Sequence, residues 1–210
     1  MNKKFVFTGL GVIFVVAFAA FVMQASVQNN VQNSDKSGSS YQSTRAISGS
    51  TIGGPFELLD EEGQVFTDKN LTRPYRLIYF GFTYCPAICP TELAKTLKAF
   101  KQLDPALQDQ IDLVFITIDP ERDTPEVMKQ YTDLFHERLI GLGGSQAQID
   151  KVLSAYKVYA SKVEDETMSD YTMDHSSYIY LFTAENKIRA MYRMSDDAVF
   201  IANDLNHLLR

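Results

Sequence analysis

The chain has 210 residues, 20 Lys and Arg against 26 Asp and Glu, a formal net charge of −6 and a pI near 5.1. Nucleic-acid surfaces cluster Lys and Arg to neutralise phosphate, and with no basic stripe in the sequence no nucleic-acid partner is expected. The acidic balance suits the solubility of an exported domain and is compatible with docking onto a basic protein patch.

At the amino terminus Lys3 and Lys4 precede Phe5 to Met23, an uncharged run of 19 residues. As a helix it would measure about 28 Å, close to a bilayer's hydrocarbon core. Residues 1–23 are therefore expected to form a membrane anchor. A cleaved signal is the alternative, but its apolar region is usually shorter and Met23-Gln24-Ala25 makes a poor cleavage site. Two lysines on the short tail keep it cytoplasmic and export the rest. Nothing resembles an Arg-rich transit peptide, so the expected location is a bacterial inner membrane with the domain in the periplasm. A mitochondrial inner membrane facing the intermembrane space is the alternative. Residues 24–50, of which 15 of 27 are Gln, Asn or Ser, predict a flexible linker reaching roughly 30 Å. Residues 51–210 fit one domain with a sizeable core.

Within that domain the pattern alternates. Phe56 to Leu59 and Gln64 to Thr67 flank Asp60-Glu61-Glu62-Gly63, which predicts a hairpin. Leu77 to Phe82 and Leu113 to Ile118 are near-continuous apolar runs, as in parallel strands covered on both faces. The first leads to a helix with Leu93, Leu97 and Phe100 on one face, halting near Asp104-Pro105. The second leads to a helix with Pro125 at its first position and Asp123 or Thr124 as cap. After a short strand near Leu139 to Leu142, Ser145 and Gln148 form a capping box for a helix carrying Ile149, Val152, Leu153 and Tyr156. Val163 to Ser177 reads as a long polar loop. Tyr178 to Phe182 and Lys187 to Tyr192 predict a hairpin across Ala184-Glu185-Asn186. Ser195, Asp196 and Asp197 open a last helix with Ile201, Leu205 and Leu208 inward. His136 and His207 are expected on helix surfaces. The order is that of an α/β domain of thioredoxin type.

Both cysteines of the chain lie in Gly81-Phe82-Thr83-Tyr84-Cys85-Pro86-Ala87-Ile88-Cys89-Pro90. Their Cα atoms would stand roughly 6 Å apart in a helical turn, near enough for a disulfide or a shared metal. They follow the carboxyl end of a central strand and open a helix, the edge where open α/β sheets place ligands. A merely stapling disulfide over so short a loop would constrain the unfolded chain little. A thiol-disulfide oxidoreductase and a holder of a soft metal both remain open. Thioredoxin-like oxidoreductases use C-x-x-C and place a cis-proline before the next-to-last hairpin. Here the spacing is C-x-x-x-C, no proline follows Pro125, and that neighbourhood reads Met173-Asp174-His175-Ser176-Ser177. Thiolates suit Cu(I) and imidazole suits copper in either state, so Cys85, Cys89 and His175 form a candidate three-coordinate copper site. The same donors could hold zinc. Asp174 is a candidate to orient the imidazole, and Met168 and Met173 could offer thioether to Cu(I). Asp119, Arg122 and Asp123 are read as helix capping and an internal salt bridge, with partner docking as the alternative.

From about Gly53 to Leu209 the chain resembles the Sco (SenC) proteins, membrane-tethered copper-binding proteins of thioredoxin-like fold. The likeness rests on Gly81-Phe82-Thr83 before the C-x-x-x-C-P, on Asp119-Pro120-Glu121-Arg122-Asp123-Thr124-Pro125 after the next strand, and on Asp174-His175-Ser176. It implies that Cys85, Cys89 and His175 bind copper, Cu(I) or Cu(II). It also implies a chaperone, not an enzyme, that assists assembly of the binuclear copper centre in cytochrome c oxidase subunit II. The alternative it leaves is reduction of the cysteines of that centre or of other exported proteins. Other copper chaperones or thiol reductases are the further partners implied. Ala87 departs from the pattern, where many relatives carry Asp between the cysteines.

Overall fold

The computed structural model describes residues 51–164 and 170–210. The expected anchor, the linker and Met168 lie outside the described residues. Among the described residues no helix is long and apolar enough to cross a membrane.

A five-stranded mixed sheet organises the domain. Strand β3 (Tyr75–Gly81) is central, with β4 (Ile111–Thr117) parallel on one side and β5 (Leu139–Leu142) parallel beyond it. On the other side β8 (Ile179–Thr183) runs antiparallel to β3, and β9 (Ile188–Tyr192) closes the edge. A separate hairpin joins β1 (Glu57–Leu59) to β2 (Val65–Thr67). Its turn contains Gly63 at φ +72°, a left-handed conformation that glycine adopts without steric cost.

The helices are α1 (Ile88–Phe100), the short α2 (Pro105–Gln108), α3 (Pro125–Thr132), α4 (Gln146–Tyr156) and α5 (Ala198–Leu208). Alternation along β3 sends Tyr79 and Gly81 to one face and Phe80 to the other. On the Tyr79 face, α1 brings Cys89 against Gly81, α3 brings Tyr131 to 5.4 Å from Phe115, and α5 packs on α1. On the opposite face α4 places Tyr156 5.5 Å from Phe80. Covered on both sides, β3 and β4 are the core, and each large apolar side chain buried there contributes about 1.5–3 kcal/mol.

Caps fall where side chains can accept orphan N–H groups. Thr124 caps α3 by accepting from Val127 N–H at 3.3 Å. Ser145 and Gln148 close their capping box, and Asp197 caps α5 by accepting from Phe200 N–H at 2.8 Å.

Four expectations need correction. β3 and β4 each start two residues early, because their first turns of strand include Arg76 and Asp112, charges whose burial is matched by partners. Asp112 accepts from Arg73 Nη1 at 2.8 Å and Arg73 N–H at 3.0 Å, and Arg76 donates to Asp68 O at 2.8 Å and to Asn186. α2 was not expected, as a single turn begun by Pro105 shows no periodicity. His136 follows α3 instead of lying on it, edge-on to Phe100 at 5.7 Å, and burial lowers its pKa. The expected loop Val163 to Ser177 instead carries a strand, β7 (Thr172–His175), which pairs with β6 (Ala160–Val163) just before it as a two-stranded ribbon, in the register Ala160 to His175. None of its residues is fully buried, so it lacks the apolar alternation that marks a strand over a core.

Candidate metal centre

After β3 the chain leaves the sheet at Phe82, turns through Thr83 and Tyr84, and presents Cys85 half-exposed at the amino end of α1. Ala87 is the N-cap residue and has no side chain able to accept a hydrogen bond. The Cys85 sulfur takes that role, accepting from the Cys89 backbone N–H at 3.4 Å, with the N–H groups of Ala87 and Ile88 also directed to it. Pro90, third in the helix, loses nothing there because first-turn N–H groups have no helical partner.

Cys89 is fully buried, its sulfur fitted over Gly81. A Cβ at Gly81 would stand 2.9 Å from Cys89 Sγ and 3.0 Å from the Phe115 ring. Glycine is required at that position by space, not by backbone conformation.

Both cysteines are free thiols and they are unequal. The Cys85 pKa is pulled down to about 5, first by the hydrogen bond from the Cys89 thiol and further by the helix N–H groups. The Cys89 pKa is pushed up, because its proton is shared with Cys85 and its sulfur is desolvated. A thiolate persists at Cys85 wherever pH exceeds its lowered pKa. Alkylation of reduced protein by iodoacetamide, followed by mass spectrometry, is therefore expected to modify Cys85 with a midpoint near pH 5 and to spare Cys89 at neutral pH. A midpoint at the ordinary thiol value, above about 8, would contradict the assignment.

His175 ends β7 and reaches the same place from the far side of the sequence. Its Nε2 lies 3.6 Å from Cys89 Sγ, and its Nδ1 lies 3.1 Å from the Ser176 carbonyl. A carbonyl can only accept, so Nδ1 carries the proton and Nε2 presents its lone pair to the sulfur. Phe82 and Tyr79 hold the ring edge-on at 6.0 and 6.4 Å. Burial lowers the His175 pKa, which keeps the imidazole neutral at pH 7. Asp174 is exposed on the ribbon and the Ser176 carbonyl orients the ring in its place.

Among the described residues no three His, Cys, Asp or Glu side chains already converge on a metal-sized point. Two of the expected donors nonetheless stand at ligand spacing. A thiolate and an imidazole on one zinc-like ion, with bonds of about 2.3 and 2.0 Å, are roughly 3.5 Å apart, against the 3.6 Å observed. Cys85, the third expected donor, holds its half-exposed sulfur at the helix terminus instead. The donor set, two thiols and a neutral imidazole with a free lone pair, fits a soft ion.

The family model SCO1/SenC matches residues 44–210. The chain belongs to the SCO1/SenC family. It is 47% identical over 133 residues to an SCO2-like protein of Rickettsia prowazekii, covering 62% of this chain and 63% of that one. It is 42% identical over 146 residues to the mitochondrial SCO1 homolog 1 of Arabidopsis thaliana, covering 70% of this chain and 43% of that protein. The chain thus spans about half the length of such relatives. The crystal structure of Arabidopsis thaliana ScoI with copper bound superposes with a TM-score of 0.71 at 39% identity, covering 75% of this chain and 98% of that one.

In this SCO1/SenC protein further residues hold the site, and periodicity missed them. The buried Asp123 carboxylate accepts from Thr83 N–H at 3.0 Å, from the Thr83 hydroxyl at 2.5 Å and from the Thr117 hydroxyl at 2.5 Å. It ties the loop before Cys85 to β4; the cap expected of it is Thr124. Asp119 and Arg122 form the expected internal salt bridge at 2.6 Å, and more is attached to it. Arg122 stacks on Tyr171 at 3.6 Å and on the exposed Tyr84 at 4.9 Å, and donates to the Tyr171 carbonyl at 2.8 Å. The Tyr171 hydroxyl donates to Asp119 at 2.8 Å. This clasp fastens the ribbon that carries His175 beside the dithiol. Thr83 adjoins the cysteine motif and Tyr171 lies four residues before His175, the one signal available beforehand. Met173 packs against the core.

Proposed function

We propose that this protein is a membrane-tethered copper chaperone that holds one copper ion through Cys85, Cys89 and His175. It assists assembly of the binuclear copper centre of cytochrome c oxidase subunit II. The observation that carries the reading is the 3.6 Å approach of His175 Nε2 to Cys89 Sγ, made across 86 residues of sequence with the lone pair already turned to the sulfur. Copper bound to the Arabidopsis relative supports the choice of ion. Residues 1–23 serve as the anchor, placing the domain in the periplasm and raising its effective concentration near membrane complexes.

Cys85 offers a thiolate, Cys89 gives up its proton on loading, and His175 supplies a neutral nitrogen. Copper affinity falls as pH drops, because protons compete for the thiolates. Closing Cys85 and Cys89 into a disulfide passes two electrons and two protons to an oxidised dithiol partner and removes both sulfur donors, so redox state gates loading. Transfer proceeds by exchange between thiolates, without catalytic turnover. Titrating the full chain with Cu(I) and Cu(II), reduced and after oxidation, tests this. One equivalent is expected in the reduced protein, with thiolate-to-copper(II) absorption, and none in the oxidised. Equal binding by both forms would refute the gate.

The unequal thiols also favour a second reading, reduction of a partner disulfide, with half-exposed Cys85 as attacking and buried Cys89 as resolving thiol. Rapid multiple turnover of a mixed-disulfide substrate without metal would establish it.

A further inference from the structure

Tyr79 is 1% exposed at the middle of β3, and among the described residues its hydroxyl has no hydrogen-bond partner of normal geometry. A buried donor without a partner is costly, and phenylalanine would fill the same space without that cost. The ring cannot swing to find one. It is stacked on Phe115 at 6.2 Å and meets the His175 ring edge-on at 6.4 Å. It borders the gap that Gly81 leaves open: the point where a Gly81 Cβ would stand is 2.9 Å from Cys89 Sγ and 3.0 Å from Tyr79 Cε1. Ser177 and Cys89 are the side chains within longer hydrogen-bonding reach of the hydroxyl, neither at normal bonding geometry.

The protonated Cys89 sulfur is a poor acceptor, and its hydrogen is directed to Cys85. A thiolate at the same position is a strong one. We propose that Tyr79 is a positioning residue of the dithiol site, whose hydroxyl is held in reserve to donate a hydrogen bond to the Cys89 sulfur when that sulfur becomes a thiolate ligand. The inference rests on the copper reading above. A donor to a ligating thiolate draws charge from the sulfur and orients it, which moves sulfur-to-copper charge transfer to higher energy and strengthens retention of the ligand.

The test is Tyr79→Phe in the full chain, with Tyr180→Phe, a buried hydroxyl deletion on the opposite face of the sheet, as control. In the reduced, metal-free protein Tyr79→Phe is expected to leave Tm unchanged or raised; a lower Tm would mean the hydroxyl is already bonded there, and would overturn the proposal. With Cu(II) added, Tyr79→Phe is expected to shift the charge-transfer band to lower energy and to weaken binding about 3- to 10-fold, toward the range known for outer-shell partners. Tyr180→Phe is expected to match wild type in both. An identical band and affinity in Tyr79→Phe overturns the Tyr79 role and leaves the copper reading standing. A wild-type protein with no band and no copper overturns both.

Discussion

His175→Ala is expected to lower Cu(II) affinity by at least about 100-fold and to abolish the wild-type charge-transfer spectrum, while Cu(I) affinity falls less. The asymmetry follows from the donors. Two thiolates suffice for soft Cu(I), whereas Cu(II) prefers nitrogen, and even outer-shell partners of a metal ligand are worth 10- to 100-fold. His175 is the sole imidazole near the dithiol among the described residues, since His136 packs on Phe100 and His207 is exposed on α5. Competition titrations against chelators of known affinity, run with each oxidation state, read the two losses separately. Equal binding of Cu(II) by His175→Ala and wild type would remove the histidine from the site.

Asp123→Ala is expected to destabilise the domain by about 3 kcal/mol or more, by leaving the Thr83 N–H and two hydroxyls without their acceptor at about 1–3 kcal/mol for each buried group left unmade. The carboxylate is 2% exposed, so water offers little replacement. The effect should reach the dithiol, because Thr83 lies two residues before Cys85 and its anchoring aims the loop at α1. The Cys85 alkylation midpoint is expected to rise from about 5 toward the free-thiol value as its hydrogen-bond donors lose register. Urea unfolding gives the first quantity and alkylation at graded pH the second. A loss under 1 kcal/mol with an unmoved midpoint would show that Asp123 does not hold the loop. Asp123→Asn keeps one acceptor oxygen and should fall between wild type and alanine.

The same pair of residues marks where sequence reasoning stops. Cys85 and Cys89 were legible as a unit because strand, turn and helix are local patterns, and Pro90 confines the helix start. His175 was legible only as the residue standing where an oxidoreductase carries proline. In the sequence Asp123 reads as a helix cap, a role shared with Thr124, or as a docking residue; its partners Thr83 and Thr117 belong to other elements. The ribbon carrying His175 escaped because backbone pairing and the Arg122–Tyr171 clasp hold it, neither of which leaves an apolar period.

By itself the sequence determined the α/β order, the inward faces of β3 and β4, the capping of α3, α4 and α5, and the two sulfurs at a helix amino terminus. These follow from propensities and burial patterns that act over a few residues. Only the tertiary structure decided that Cys85 takes the helix N–H groups while Cys89 is sealed over Gly81. It alone decided that His175 faces the buried sulfur through Nε2, and that Tyr79 stands beside that sulfur with a hydroxyl to spare. Those contacts join residues from 4 positions apart, Cys85 and Cys89, to 86 apart, Cys89 and His175; hydrogen-bond geometry and desolvation set their chemistry, and no local period records it.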